Sequence, residues 1–248
     1  MVVLMTIDIN DIKLNYIEYG EGEDSLIFLH GWGQNIEMMK PLADYFQKEY
    51  KIYILDLPGH GKSSEPTFAY HVEDFVDVLR KFIEIKKIKN PILIGHSFGG
   101  KTSLLYASKY NDVSKLIMLA CSFKKEIEKP SLKTKVLKFA KKIPGLNKLE
   151  GWAKNHIGST DYKNASGIMK EVLVNAVNRD LREDVKNINA DTLLIWGDQD
   201  QAVSIESAHE LDSLLPNSGL VVFKGFTHYA YLENLGQTVV VIRSFLES

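Results

Sequence analysis

Cysteine is almost missing from this chain, since Cys121 is the single one among 248 residues. An intramolecular disulfide is therefore impossible, and folding does not depend on an oxidising compartment. No apolar run approaches the roughly 20 residues that a membrane-spanning helix needs. The first residues carry neither the basic segment nor the cleavage signal of a secretory peptide. These absences predict a cytoplasmic protein without integral membrane association.

The sequence also lacks an excess of charge of either sign. It has 30 Lys and Arg against 32 Asp and Glu, for a formal net charge of −2, so we expect no nucleic-acid partner. No cysteine pair, histidine cluster or His-Glu-x-x-His motif predicts a metal site. Gly31 and Gly33 lack the third glycine and the distant acid of a dinucleotide site, and residues 61–63 lack the first glycine of a phosphate loop. We therefore expect no metal and no other cofactor.

Short apolar runs alternate with helical patterns along most of the chain. The runs are apolar on both faces of a strand, and they occupy residues 26–29, 52–55, 91–94, 116–119, 193–196 and 220–223. Such runs are typical of strands buried inside a parallel sheet, and their alternation with helices predicts βαβ units. Residues 7–18 alternate apolar and polar, which predicts an antiparallel edge hairpin turning at Asn10 and Asp11. The predicted fold class is α/β, with a mostly parallel sheet and helices on both faces.

An insertion interrupts this alternation, because residues 123–185 contain no strand-like run. Between Lys124 and Glu150 stand nine lysines and three glutamates. An apolar helix face that includes Leu132 and Val136 lies opposite the lysines. The lysine face is either solvated, or contacts an acidic carrier or an anionic surface, and the apolar face could roof a pocket. We predict a core formed by residues 1–122 and 186–248, with a helical insertion at 123–185.

Residues 95–99 read Gly-His-Ser-Phe-Gly and follow a buried strand run at the start of a helical pattern. A G-x-S-x-G motif in that context predicts a strained turn that lifts Ser97 out of the sheet as a nucleophile. Glycine is needed on either side because a larger side chain would collide with neighbouring backbone. The alternative is a tight turn with an incidental serine. We expect His96 to shape this turn and Cys121 to be an inert core residue.

Loops after other apolar runs supply the partners that such a serine requires. An acyl-transfer enzyme needs two backbone N–H donors for the oxyanion, and Phe98 and Trp32 suit this role. The alternative for Trp32 is packing in the core. His228 follows the final run, where it could act as general base. Two carboxylates, Asp198 and Asp200, follow the run at 193–196, and spacing alone does not choose between them.

These motifs carry a resemblance to the α/β-hydrolase fold superfamily. They occupy residues 30–33, 56–63, 95–100, 196–200 and 225–228. The resemblance implies that the acid is Asp200, the last residue of a G-x-x-D turn. It also implies that the insertion at 123–185 is a helical cap between the sixth and seventh strands. Residues 30–33, with Asn35 and Glu37, resemble the corresponding segment of enzymes that cleave pimeloyl-carrier methyl esters.

The sequence therefore predicts a serine hydrolase that acts on a small to medium acyl substrate, most simply a carboxylic ester. Ser97 would attack the carbonyl, His228 would remove the serine proton, and Asp200 would orient the histidine. Thioester, lactone or carbon–carbon bond hydrolysis, or transfer to another acceptor, would use the same residues. A different class, a ligand-binding receptor with little turnover, also remains open. The dehalogenase-like branch has an aspartate where this chain has Ser97.

Overall fold

A mixed eight-stranded sheet forms the centre of the protein. The computed structural model describes residues 4–125 and 165–248. Its strands are β1 (Leu4–Ile9), β2 (Ile12–Tyr19), β3 (Ser25–Leu29), β4 (Lys51–Leu55), β5 (Ile92–His96), β6 (Lys115–Leu119), β7 (Asp191–Gly197) and β8 (Ser218–Phe223). Their order across the sheet is β1-β2-β4-β3-β5-β6-β7-β8. The sheet is parallel from β4 to β8, which confirms the predicted α/β class.

The predicted edge hairpin is present at the start of the sheet. β1 pairs antiparallel with β2, with Ile9 opposite Ile12. The turn between them contains Asn10 with φ 55°, a left-handed backbone conformation that asparagine tolerates better than most residues. β2 then pairs antiparallel with β4, which joins the hairpin to the parallel part of the sheet.

Helices cover both faces of the sheet, as the sequence predicts. They are α1 (Ile36–Ala43), α2 (Val72–Lys86), α3 (Phe98–Tyr110), α4 (Gly167–Asn178), α5 (Ile205–Leu214), α6 (Ala230–Glu233) and α7 (Leu235–Glu247). Alternate residues of β3 enter opposite cores: Ile27 belongs to the core that includes residues of α2 to α5, whereas Leu26 and Phe28 belong to the core that includes residues of α1, α6 and α7. Burial on both faces explains why the strands read as continuous apolar runs.

β8 departs from the predicted burial. Among the described strands it pairs only with β7, at the end of the sheet, and among its own residues only Phe223 is buried. The run at 220–223 therefore contains partly exposed side chains, because an edge strand has a neighbour on one side only.

The insertion is described only in part. Its described residues include α4 and no strand, whereas the predicted helix face at Leu132 and Val136 lies outside the described residues. The buried Lys101 of α3 joins the end of α4 to the core, since its Nζ donates to the carbonyl oxygens of Ala176 and Arg179, at 2.8 Å each. The division into core and cap remains a prediction. Among the described residues, no helix has the length and apolarity to cross a membrane.

Candidate catalytic site

The predicted site residues follow the carboxyl ends of four parallel strands. Trp32 lies in the loop after β3, Ser97 directly follows β5, Asp200 follows β7, and His228 lies in the loop after β8. The carboxyl ends of parallel strands meet at one edge of a sheet, which is where α/β proteins build their ligand sites. The topology therefore brings residues that are far apart in sequence to the same edge.

Ser97 occupies a strained turn between β5 and α3. Its φ of 51° and ψ of −110° are unfavourable for a residue with a side chain. A Cβ on Gly95 would lie 2.5 Å from the Cα of Gly100, and a Cβ on Gly99 would lie 2.3 Å from the carbonyl oxygen of Leu29. Both glycines are therefore required, which confirms the steric reason predicted for the motif.

Asp200 is held in a fixed orientation toward His228. One carboxylate oxygen lies 2.7 Å from Nδ1 of His228. The other accepts hydrogen bonds from the amides of Ala202 at 2.7 Å and Val203 at 2.9 Å. The Asp200 side chain has no exposed surface. This arrangement keeps a proton on Nδ1 and leaves Nε2 as the basic nitrogen of the ring.

The competing carboxylate, Asp198, has a different environment. Its Oδ1 accepts the backbone N–H of Gly225 at 2.7 Å and lies 3.2 Å from the side-chain nitrogen of Gln199. Asp198 thus stabilises the turn beside the loop of His228, as asparagine and aspartate side chains commonly do. The structure brings Asp200, and not Asp198, into contact with the histidine.

Ser97 and His228 line one open cleft with a volume of about 530 Å³. Its described lining consists of Trp32, Gln34, Ser97, Gln199, Gln201, Ala202, Thr227, His228 and Tyr229. This described lining contains no Asp, Glu, Lys or Arg side chain. The cleft therefore offers uncharged hydrogen-bonding groups and aromatic surface, which suits an uncharged part of a ligand.

Of the two predicted oxyanion donors, Trp32 lines the cleft and Phe98 directly follows the cleft residue Ser97. Phe98 is the first residue of α3, so its N–H has no partner within the helix and forms part of the positive end of the helix dipole. Trp32 lines the cleft, and its ring also packs edge-to-face on Phe98 at 5.4 Å and on His60 at 4.7 Å between centroids. The packing predicted for Trp32 is therefore present, and its role as an oxyanion donor stays a prediction.

The loop that carries Trp32 is anchored by the fully buried His30. Its Nε2 accepts the backbone N–H of Leu57 at 3.0 Å, and its Nδ1 lies 2.7 Å from the carbonyl oxygen of Gly31. Burial, with a smaller effect of His60, lowers the pKa of His30 to about 3. His96 is fully buried as well, and burial with the nearby His228 lowers its pKa well below the ordinary value. Both rings are neutral at pH 7.

We expect these two histidines to make the fold sensitive to mild acid. Unfolded histidine binds a proton near about pH 6.5, whereas buried His30 and His96 do not until far lower pH. Their folded pKa values are depressed, so the stability they contribute is present above the unfolded pKa and is lost as the pH falls below it. The free energy of unfolding should drop by about 1.4 kcal/mol per pH unit for each histidine. Urea unfolding at about pH 7 and about pH 5.5 measures this slope.

The control for this prediction is His30→Asn, which should remove about half of the slope. Carboxylates with lowered pKa values, such as Glu18 beside Lys86, contribute only at lower pH, near and below the ordinary glutamate pKa. Above about pH 5, the expected change in the free energy of unfolding therefore comes from the histidines and not from these carboxylates. Equal stability at the two pH values would contradict the assignment.

Cys121 lies in the core, where a Cβ on Gly100 would come within 2.7 Å of its sulfur. Burial raises the pKa of the Cys121 thiol far above its ordinary value, so the reactive thiolate does not form. The structure therefore agrees with the interpretation of Cys121 as an inert core residue.

Four cleft residues lie outside the recognised motifs: Gln34, Gln201, Ala202 and Tyr229. Three of them, Gln34, Gln201 and Tyr229, directly follow the motifs at 30–33, 196–200 and 225–228. Extending each of these motifs by one residue would have found those three. Within residues 4–125 and 165–248, no group of three or more His, Cys, Asp or Glu residues is arranged to hold a metal ion.

One protein family and several known proteins match this chain in sequence. Residues 24–155 match a family described as alpha/beta hydrolase fold. A pimeloyl-[acyl-carrier protein] methyl ester esterase of Aliivibrio fischeri is 27% identical, covering 92% of this chain and 95% of the relative. A 2-(acetamidomethylene)succinate hydrolase of Mesorhizobium japonicum is 24% identical, covering 98% and 94%.

Solved structures share the fold over nearly the whole length. A structure of E-2-(acetamidomethylene)succinate hydrolase superposes with a TM-score of 0.78 at 23% identity, covering all of both chains. The enol-lactonase of Burkholderia xenovorans superposes with a TM-score of 0.79 at 18% identity, covering 98% of this chain and 100% of that one. At these identities the likeness concerns the fold alone.

Proposed function

Since the chain belongs to the α/β-hydrolase fold family and is a hydrolase, we propose that it cleaves carboxylic esters of small to medium acyl substrates through Ser97, His228 and Asp200. The observation that carries the proposal is the 2.7 Å contact between His228 Nδ1 and the buried Asp200, in a cleft shared with Ser97. An imidazole oriented in this way, in the same cleft as a strained serine, is the arrangement expected of a site that activates a hydroxyl for acyl transfer.

The reaction begins when His228 takes the Ser97 proton on Nε2 and the serine oxygen attacks the carbonyl carbon. A new C–O bond forms, and the carbonyl electron pair moves to its oxygen. Asp200 stabilises the imidazolium that results. When the tetrahedral intermediate collapses, the bond to the alkoxy group breaks and His228 returns the proton to the departing alcohol.

The developing oxyanion accepts hydrogen bonds from the backbone N–H groups of Phe98 and Trp32. These donors are fixed before the reaction, so they stabilise the charge without a reorganisation cost. Loss of one such donor raises the barrier by roughly 3–4 kcal/mol. The helix dipole of α3 adds to this stabilisation, because Phe98 is its first residue.

Water completes the cycle. His228 removes a proton from a water molecule, which attacks the acyl group on Ser97. The second tetrahedral intermediate then releases the carboxylic acid and restores the serine. No step draws on a metal or an organic cofactor, and the partner in the reaction is a small-molecule acyl substrate.

Two observations favour an ester of an uncharged alcohol. The described cleft lining contains no Asp, Glu, Lys or Arg side chain. The similarity to pimeloyl-[acyl-carrier protein] methyl ester esterase also extends over nearly the full length of both chains. Whether the lysines between 124 and 150 contact an acidic carrier remains a separate prediction, because those after Lys125 lie outside the described residues.

Turnover of p-nitrophenyl esters of increasing acyl length, combined with labelling by an organophosphonate, tests this function. We expect a burst of nitrophenol, continued turnover, and a mass increase on the peptide that contains Ser97. A single slow turnover would instead indicate a receptor. Faster cleavage of matched thioesters or lactones would show that these compounds, and not carboxylic esters, are the preferred substrate class. New products formed from added alcohols or thiols would reveal acyl transfer to those acceptors.

A further inference from the structure

A chain of side-chain contacts connects the loop of Trp32 with the loop of His228. Oε1 of Gln34 accepts the backbone N–H of Gly31 at 3.1 Å and lies 3.2 Å from Nδ1 of His96. Nε2 of His96 lies 3.1 Å from the carbonyl oxygen of His228. We propose that Gln34 and His96 are positioning residues that hold the oxyanion donor of Trp32 in register with the base. This proposal rests on the proposed function.

The carboxamide of Gln34 is fixed at both ends. The Gly31 amide can only donate, so the oxygen of Gln34 must face it. The nitrogen of Gln34 then faces the hydroxyl of Tyr229 at 3.3 Å, in the residue that follows His228. Gln34, which lies in the loop after β3, therefore contacts the loop after β8 at Tyr229, 195 residues further along the chain.

His96 is the rigid centre of this chain. It has no exposed surface, and its ring packs against His228, Tyr231 and Tyr229, with centroids 4.7, 4.9 and 5.5 Å apart. A neutral imidazole has one N–H and donates to one oxygen at a time. A proton on Nδ1 makes the contact with Gln34 a hydrogen bond. Nε2 then carries no hydrogen, so the ring packing holds the His228 side.

The loop after β3 approaches this pair closely. A Cβ on Gly31 would lie 2.9 Å from Nδ1 of His96 and 3.2 Å from Cδ of Gln34. Gly31 directly precedes Trp32, so a change in the position of either side chain shifts the Trp32 amide. Acyl transfer requires donors within about 2.7–3.1 Å of the oxyanion. A displacement of about 1 Å can cost roughly a hundredfold in rate.

A double-mutant cycle tests whether the two residues act as one unit. Gln34→Leu and His96→Phe each remove the polar contacts and keep a similar volume. We expect each single variant to lower kcat for a p-nitrophenyl ester by about 10- to 100-fold, with KM changed by less than about threefold. The double variant should be no slower than about threefold below the worse single variant, because both changes break the same chain.

A transition-state mimic separates positioning from a merely structural role. A trifluoromethyl ketone adds the serine oxygen and forms an oxyanion that uses the same two amides. We expect its Ki to rise in Gln34→Leu in parallel with the loss of kcat/KM, with the thermal midpoint almost unchanged. The control Gln237→Leu makes the same change at an exposed glutamine of α7, which lies outside the described cleft lining and outside this chain of contacts. It should leave the ratio of Ki to KM within about threefold of the wild-type value.

Three results would overturn the proposal: wild-type kcat in Gln34→Leu, multiplicative losses in the double variant, or a fall in rate without a rise in Ki. Since His96 is buried, His96→Phe could unfold, and Gln34→Leu then carries the test alone. Failure of the proposed function has a different signature. In that case the trifluoromethyl ketone does not inhibit the wild-type protein, before any variant is compared.

Discussion

Replacement of Ser97 by alanine is expected to lower kcat for ester hydrolysis by about 10⁵- to 10⁶-fold, since no other group in the proposed mechanism can form the acyl-enzyme. The residual rate should come from the oxyanion donors and from substrate binding. Steady-state assays with a p-nitrophenyl ester, at enzyme concentrations high enough to detect the residual rate, measure the loss. Organophosphonate labelling should disappear in the same variant.

Two controls show that this loss is chemical. Alanine carries the same Cβ as serine, so Ser97→Ala keeps the backbone at φ 51° under the same strain and should unfold at nearly the same urea concentration. Ser97→Gly also removes the hydroxyl but tolerates positive φ, so it should be more stable than Ser97→Ala by about 1 kcal/mol. Activity of either variant above about one hundredth of the wild-type rate would identify a different nucleophile.

The strain at Ser97 shows how the fold serves the site. The serine holds an unfavourable backbone conformation because Gly95 and Gly99 allow the turn to close tightly against Gly100 and Leu29. This strain exposes the hydroxyl at the cleft instead of packing it in the sheet. This backbone strain costs of order 1–3 kcal/mol, and the packing of the two apolar cores that enclose β5 offsets it.

Much of the fold was predictable because its signals are local. Strands buried on both faces are continuous apolar runs, as at Leu26–Leu29, and a hairpin needs only alternation and a turn residue such as Asn10. The elbow at residues 95–99 follows from one steric requirement. β8 was less predictable, because the sequence of a strand does not state how many neighbours it has.

The choice of acid could not be made from spacing, because it depends on contacts between distant residues. Asp198 and Asp200 both follow β7 closely enough to reach the site. Asp198 accepts a hydrogen bond from the backbone N–H of Gly225, 27 residues away. Asp200 instead contacts the imidazole ring of His228, 28 residues away. The contact of Gln34 with His96 spans 62 residues and was equally hidden in the sequence.

Replacement of Asp200 by asparagine is expected to lower kcat by about 10³- to 10⁴-fold. The oxygen that replaces Oδ1 would still accept the amides of Ala202 and Val203, which turns the new NH₂ group toward His228. That group donates, so His228 must accept on Nδ1 and carry its proton on Nε2. Nε2, the nitrogen proposed to take the serine proton, would then have no lone pair to accept it. The ratio of kcat values for variant and wild type measures the effect.

The matched control is Asp198→Asn, because it makes the same chemical change two residues away. The asparagine oxygen can still accept the N–H of Gly225, so the turn should persist and kcat should stay within about threefold of wild type. Thermal unfolding of both variants shows whether a lost rate reflects a lost fold. A slow Asp198→Asn beside an active Asp200→Asn would reassign the acid. Equal losses in both variants would mean that the loop of His228 depends on the whole turn and not on a single oriented carboxylate.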